Sequence, residues 1–263
     1  MLSFLNYVVY LRQILGGFRA AHERKLAAFR LIDVQPYLDM SQSRLILDVA
    51  NGRLRPQYSL LRTQGHRVCG IDLINRPSQG VTDALYVVAR RLFAWRMRVP
   101  LSAINGKTLV NGNVGMLPFA ADTFELVTSI AAFEHFLDVP KVVTELRRVT
   151  RPGGLAWLCI HPFTTLSGGH NLSLTEIPLR HVPDGVDPWD HLRQRRLPFH
   201  VPLNEWRIGQ YVAELSRHFE IVKHSVAMRE GEDLLTPAIE AELAAYTRDE
   251  LTCLAYIIVA RKR

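Results

Sequence analysis

The chain has 263 residues, of which 48% are hydrophobic, and it carries a formal net charge of +7. This size suits one α/β domain with a large buried core, and the sequence contains neither internal repeats nor low-complexity tracts. The positive charge would attract nucleic acid, anionic lipid or a phosphorylated substrate. Because the basic residues form only short groups without interleaved aromatic residues, we do not expect nucleic-acid binding.

The three cysteines indicate a reducing environment. Cys69, Cys159 and Cys253 are widely spaced and form no CxxC pair. We therefore expect buried, reduced thiols and a cytoplasmic protein.

Residues 1–43 predict an N-terminal helical cap. Apolar residues recur there at spacings typical of one helical face, namely Phe4, Val8, Leu11, Leu15 and Phe18. Arg12 interrupts the apolar run, and a spanning helix needs about 20 apolar residues. We expect a helix packed on the domain, and a homodimer seam or peripheral contact with an anionic membrane stays open.

From residue 44 onward, short apolar runs alternate with amphipathic segments. The runs predict strands at 44–50, 66–73, 108–113, 124–130 and 155–161. The amphipathic segments predict helices at 55–65, 82–98 and 139–150. This alternation is typical of βαβ units in a parallel sheet covered on both faces. The chain closes with a predicted helix at 205–219 and strands at 220–228 and 253–262.

The segment 162–204 reads as a long insertion. Its part from residue 169 onward holds five prolines and little periodicity, and loops of this length are usually functional or disordered. Trp189 argues against disorder, either by stacking on a sugar or by anchoring the loop to the core, and we favour the anchor. Arg193, Arg195 and Arg196 suggest a polar, anionic acceptor.

Polar residues follow several of the predicted strands, where an open parallel sheet binds its ligands. Asp48 and Asp72 end successive strands, and Asn113, Ser129 and His161 end later ones. Asp72 is placed to bind a ribose diol, although a turn-forming aspartate would fit the same position.

Ordered motifs between residues 113 and 154 resemble those of class I S-adenosylmethionine-dependent methyltransferases of the type 11 kind. The matching residues are Leu117-Pro118-Phe119, Asp122-Thr123-Phe124-Glu125, Glu134-His135, Glu145, Arg148-Val149 and Arg151-Pro152-Gly153-Gly154. The resemblance covers about 44–161. It implies a Rossmann-like, doubly wound, seven-stranded sheet, mostly parallel with an antiparallel last strand. The domain would span 44–263, with the insertion at about 162–204 on the substrate side.

The resemblance also implies a cofactor, S-adenosylmethionine, but the loop that should hold it is degenerate. The family pattern has three glycines after the acid, whereas this chain has Ala50, Gly52 and Leu54 after Asp48. Ala50 would fit if its φ is negative, and Leu54 opposes binding. Asn113 keeps an acceptor oxygen for the adenine amino group. The cofactor-binding residues implied are Asp48, Ala50, Gly52, Asp72, Leu73, Asn113, Val114, Ser129 and His135.

Methyl transfer to a hydroxyl needs a base that removes the acceptor proton. His161 follows a strand directly and His170 lies nine residues on, so we assign both as catalytic candidates. Histidine spacings match no ligand motif, and we assign no metal. The function expected is O- or N-methylation of a small polar molecule such as a sugar, a nucleotide-sugar or a secondary metabolite. The alternative is a methyltransferase fold without methyl transfer, serving as a pseudoenzyme, a partner-binding scaffold or a repurposed pocket.

Overall fold

The computed structural model describes residues 14, 17–75, 81–172 and 176–263, with only the backbone at 81–83. Within these residues, seven strands form one sheet in the order β3-β2-β1-β4-β5-β7-β6. The strands are β1 (Leu45–Val49), β2 (Arg67–Asp72), β3 (Leu109–Asn111), β4 (Phe124–Ile130), β5 (Thr150–Ile160), β6 (Glu220–Arg229) and β7 (Cys253–Arg261).

The first five strands are parallel, and the last two pair in the opposite sense. β1 pairs with β2 and β4, and β2 with β3, all in parallel register. β7 is antiparallel to both β5 and β6. The strand order reverses between β1 and β4, which is where an open sheet of this kind binds ligands.

Helices cover both faces of the sheet. They are α1 (Phe18–Val34), α2 (Pro56–Thr63), α3 (Val81–Met97), α4 (Leu101–Ile104), α5 (Val139–Val149), α6 (Ile208–Ser216), α7 (Pro237–Glu242) and α8 (Arg248–Thr252). Each helix and strand predicted from residue 44 onward is present. The short helices α4, α7 and α8 were not predicted, because one or two turns give too little periodicity to detect. None of the helices in the described ranges is long and apolar enough to cross a bilayer.

Helix α1 packs against the sheet. Its residues Leu26 and Val34 join the apolar cluster that contains Trp157 of β5. The Trp157 indole Nε1 donates a hydrogen bond to Asp33 Oδ2 at 3.0 Å. Gly17 has a left-handed φ of 78° and precedes the first residue of α1, Phe18, which is the last residue of the predicted helical face. The remaining residues of the predicted helical face, from Phe4 to Leu15, lie outside the described residues.

Two of the motif residues hold the loop before β4 in place. Arg148 forms a bidentate ion pair with Glu145, with Nε 2.7 Å from Oε1 and Nη2 2.8 Å from Oε2. The same guanidinium donates to the carbonyls of Leu117 and Phe119, while Glu145 accepts from the Leu117 amide. These hydrogen bonds fix residues 117–119 and so help to position the preceding segment, which starts at the predicted cofactor residue Asn113.

Trp189 anchors the insertion, as we favoured. Its side chain is fully buried among leucines of the insertion and of the 235–251 region. Its indole Nε1 donates to the Leu251 carbonyl at 3.0 Å. A buried indole with a satisfied N–H is not available to stack on a ligand.

Candidate functional site

Two cavities lie at the carboxyl edge of the sheet, and Ala50 lines both. Cavity A, about 340 Å³, is lined by α1, the loop after β1 and the insertion. Cavity B, about 370 Å³, is lined by the turn after β2, residues 113–115 and residues 135–142. Both volumes lie in the range of small-molecule sites. The two cavities therefore meet at Ala50 of this loop.

The loop after β1 has left-handed backbone angles at Ala50 and Gly52, although only the second of these residues is a glycine. Gly52 has a φ of 68°, and a Cβ added there would meet nothing within 4 Å, so its backbone is open. The Gly52 amide donates to Asp72 Oδ2 at 2.9 Å. Ala50 has a φ of 54°, so the condition under which we expected alanine to fit, a negative φ, is not met. A left-handed alanine costs about 1–2 kcal/mol, so the rest of the fold must hold it there.

Leu54 does not obstruct the loop to the extent that the sequence suggested. It is 3% exposed and packs in an apolar cluster with Phe93, Met97 and Ile104 of α3 and α4. The branched side chain therefore joins the core beneath the loop and forms only part of the wall of cavity A.

Asp48 is a buried acid at the wall of cavity A. Burial raises its pKa to about 7, and the Arg30 guanidinium partly offsets this rise. Arg30 donates to Gln57 Oε1 at 2.7 Å, and Gln57 donates to Glu23 Oε2 at 2.8 Å. Asp48 Oδ2 has no hydrogen-bond partner among the described residues. An unsatisfied oxygen at a cavity wall is suited to accept a bond from a ligand.

Cavity B brings together most of the predicted cofactor residues. Asp72, Leu73, Asn113, Val114 and His135 all line it. Asp72 also accepts from the Ile74 amide at 3.1 Å, and Asn113 Oδ1 from the Gly115 amide at 2.8 Å. Both side chains therefore order their own turns, yet each carboxylate or amide oxygen has a second lone pair for a ligand.

Ser129 is the predicted site residue that lines neither cavity. It is 1% exposed inside β4, and its hydroxyl has no partner among the described residues. Ile130 and Ala131 follow it and reach cavity A instead. Ser129 lies one residue before the end of β4, and its role in cofactor binding stays a prediction.

Three histidines lie in a row where the cavities approach each other. His161 and His170 line cavity A, and their rings are 5.0 Å apart. His135 lines cavity B, and its ring is 4.8 Å from that of His170. Burial lowers the pKa of His161 well below its usual value, and burial with His135 lowers that of His170 to about 4. Both imidazoles are therefore neutral near pH 7, the form that accepts a proton or binds a metal.

Glu134 lies beneath this row and was not predicted as a site residue. Its side chain is fully buried, and burial raises its pKa to about 8. Neither carboxylate oxygen has a hydrogen-bond partner among the described residues. Its Oε1 lies 3.9 Å from Nε2 of both His135 and His170. The sequence contained Glu134 only as part of a family motif, with nothing to indicate its orientation.

A second feature that the sequence did not predict is a relay of hydrogen bonds behind His161. His161 Nε2 lies 3.0 Å from Ser167 Oγ, and that hydroxyl donates to the buried Glu230 carboxylate. Glu230 comes from the end of β6 and Ser167 from the insertion, 63 residues apart. The relay fixes the ring of His161 at the wall of cavity A.

The arginines of the insertion do not support an anionic acceptor. Arg193, Arg195 and Arg196 form ion pairs with Glu242, Glu205 and Asp187, respectively. None of the three lines either cavity. Cavity A is instead lined by Arg19 and Arg53 together with four carboxylates, which are Glu23, Asp48, Glu176 and Glu230.

Comparison with known proteins agrees with this geometry. Residues 47–158 match the family model of the methyltransferase domain. The crystal structure of an S-adenosylmethionine-dependent methyltransferase from Mesorhizobium loti superposes with a TM-score of 0.54. The two chains are 17% identical in sequence, and the superposition covers 89% of this chain and 97% of the Mesorhizobium loti chain. The prediction of the seven-stranded class I methyltransferase fold is confirmed.

Curated relatives match mainly the central part of the chain. An uncharacterized methyltransferase of Mycobacterium avium (strain 104) is 37% identical over 76 residues, 29% of this chain and 30% of its own length. Another, of Mycobacterium sp. (strain KMS), is 32% identical over 119 residues, 45% of this chain and 43% of its own length. The chain thus spans less than half the length of these relatives. The cofactor that this domain implies is S-adenosylmethionine, as the motifs predicted.

Proposed function

Because residues 47–158 match the family model of the methyltransferase domain and the sheet has the class I methyltransferase fold, we propose that the chain methylates an oxygen or nitrogen of a small polar molecule, with S-adenosylmethionine as the methyl donor. The observation that carries this proposal is the pair of cavities that share Ala50. One contains the residues suited to a nucleoside, and the other contains a histidine held in place at its wall.

Residues of this chain fit the cofactor at three points. Asp72 and Asn113 offer acceptor oxygens to the ribose and the adenine in cavity B. The open backbone at Gly52 and the unpartnered Asp48 Oδ2 suit the methionine part at cavity A. When bound, the cofactor supplies an electrophilic methyl group on a sulfonium.

His161 is the general base of the proposed reaction, although burial lowers its pKa and so makes the neutral imidazole a weaker base than an exposed histidine. The Glu230–Ser167 relay orients its ring toward cavity A, where the acceptor would lie. The acceptor would be positioned there, and the imidazole would take the proton that the acceptor loses when the methyl group leaves the sulfonium sulfur for the acceptor atom. His170 stands beside His161 and forms part of the same wall.

The lining of cavity A favours a neutral acceptor with several hydroxyl groups. Four acidic side chains and two arginines line the cavity, and burial raises the pKa of Glu23 and of Asp48, so the lining offers hydrogen-bonding oxygens rather than a strong charge of either sign. Hydroxyl and amine donors match carboxylate acceptors. A sugar or a polyhydroxylated secondary metabolite meets these demands.

The proposal is tested by incubating the full chain with S-adenosylmethionine and a panel of sugars, nucleotide-sugars and phenolic metabolites while measuring S-adenosylhomocysteine formed. We expect acceptor-dependent turnover that His161→Gln reduces at least a hundredfold. His200→Gln, at an exposed position of the insertion, is the matched control and should turn over at the wild-type rate. Full activity of His161→Gln would remove it as the base.

A further inference from the structure

We propose that Glu134, His135 and His170 bind one divalent transition-metal ion between the two cavities. One potential ligand atom from each residue lies within 4.8 Å of the others. Two imidazoles and one carboxylate are a donor set used for zinc and for first-row transition metals such as iron. Three protein ligands leave coordination positions open for a further ligand.

Several of the potential ligand atoms have no hydrogen-bond partner in the part of the chain that the structure describes and are therefore available to bind a metal ion. Glu134 is fully buried, and both of its carboxylate oxygens lack a partner among the described residues. His170 Nε2 is likewise buried and unpartnered. Burying polar atoms without partners is costly, and a metal ion would satisfy Glu134 Oε1 and His170 Nε2 together.

His135 is oriented as metal-binding histidines usually are. Its Nδ1 lies 3.0 Å from the Pro202 carbonyl and is therefore the protonated nitrogen that donates to it. This leaves Nε2, the nitrogen that faces Glu134, with a free lone pair. A backbone carbonyl on the far nitrogen is the standard support of a metal-bound imidazole.

The surrounding backbone holds the three ligands close together. Glu134 and His135 lie on one short helical turn, Phe133–His135. Asn204 pins this turn, because its amide donates to the Glu134 carbonyl and its side chain to the Phe133 carbonyl. His170 arrives from the insertion with a left-handed φ of 49°.

The ligand atoms must move closer together on binding. Ligand atoms around a zinc ion are about 3.3 Å apart, given zinc–nitrogen bonds near 2.0–2.1 Å. The two histidine-to-glutamate distances are 3.9 Å each, so these atoms must approach by roughly half an ångström, and the two imidazole ligand atoms, which lie within 4.8 Å of each other, by up to about 1.5 Å. Rotation of the partly exposed imidazoles can provide this movement.

The open positions would face the space assigned to the acceptor. An acceptor hydroxyl bound to the ion would lose its proton more readily, and His161, whose ring is 5.0 Å from that of His170, would receive it. This role rests on the proposed function, whereas metal binding itself does not.

The test is a titration of the chelator-treated full chain with Zn²⁺ in a calorimeter and with Co²⁺ in a spectrophotometer. We expect one equivalent at micromolar Kd or tighter, with the visible absorption of Co²⁺ bound to nitrogen ligands. Glu134→Gln, which keeps the shape of the side chain, and His170→Asn should each weaken binding at least tenfold. His200→Asn, which alters an exposed histidine of the same insertion, should bind as the wild type does.

Circular dichroism of the metal-free variants checks that they fold, and Glu134→Gln carries the test if His170→Asn does not. No stoichiometric uptake by the folded wild type, or wild-type affinity in Glu134→Gln, would overturn the inference. Titration of the same metal-free sample with S-adenosylhomocysteine separates the two proposals. Binding of that ligand without uptake of metal would refute the metal site and leave the proposed function standing.

Discussion

The relay behind His161 makes Glu230 the most informative position to change. Its buried carboxylate accepts four hydrogen bonds, from Thr165 Oγ1, the Ser167 amide, the Ser167 hydroxyl and the Leu179 amide. Three of these reach Oε1 and one reaches Oε2. Glu230→Gln keeps the volume but replaces one acceptor oxygen with a donor group.

The expected cost follows from those bonds. If the amide oxygen of Gln takes the place of Oε1, three hydrogen bonds then reach a neutral acceptor instead of a charged one. The amide nitrogen takes the place of Oε2, so the Leu179 N–H loses its acceptor. Bonds to a charged group contribute roughly 1 kcal/mol more than neutral ones, and an unsatisfied buried donor costs about 1–3 kcal/mol. Relief from burying a charge offsets part of this sum. We expect the free energy of unfolding to fall by about 3 kcal/mol.

Urea denaturation followed by circular dichroism measures this change, and the rate of methyl transfer reports the effect on His161. Loss of the anchor for Ser167 should lower the rate at least tenfold, with less than a twofold change in cofactor affinity. Glu232→Gln, two residues away and exposed, is the control and should change neither quantity. A loss of stability below 1 kcal/mol, with an unchanged rate, would refute the relay.

Three further changes test other parts of the site. Asp72→Ala removes the acceptor of the Gly52 amide and a ribose ligand, so calorimetry should find S-adenosylmethionine bound more weakly by about 2 kcal/mol; equal affinity would refute this ribose site. A Cβ on Gly168 would lie 2.3 Å from the Phe163 carbonyl oxygen, so Gly168→Ala should destabilise the fold by about 3 kcal/mol, whereas Gly209→Ala, with open space, should not. Burial lowers the pKa of His191 to about 4 from 6.5, so the unfolded chain binds the proton more readily. Its contribution to stability is complete above pH 6.5 and falls as the pH drops toward 4, by about 2 kcal/mol at pH 5. His191→Asn should therefore lose less stability than the wild type between pH 7 and pH 5 in urea denaturation, and parallel losses would contradict this.

The sheet and much of cavity B were predictable from the sequence because they depend on local signals. A buried strand such as Leu45–Val49 is a continuous apolar run, and Asp72 ends the next strand. Parallel pairing then places the ends of neighbouring strands side by side. Asp72 and Asn113 follow from the predicted strand ends, whereas Leu73, Val114 and His135 were implied only by the resemblance to the methyltransferase family.

Features that depend on contacts between distant segments were not predictable. The relay joins Ser167 to Glu230, and His170 meets Glu134 across 36 positions, without any periodic pattern linking them. Ala50 illustrates a further limit, since its left-handed φ of 54° depends on how the whole loop is held. Likewise, the sequence suggested an anion site at Arg193, Arg195 and Arg196, because it does not show that each of them forms an ion pair with a carboxylate.

We propose that the loop from Asp48 to Leu54 still binds S-adenosylmethionine although it has only one glycine. The most direct test is calorimetric titration of the full chain with S-adenosylmethionine and with S-adenosylhomocysteine. We expect one site with micromolar affinity for both, because the Gly52 backbone is open and Leu54 packs into the core. A folded sample that binds neither ligand would contradict the account and favour a methyltransferase fold without methyl transfer.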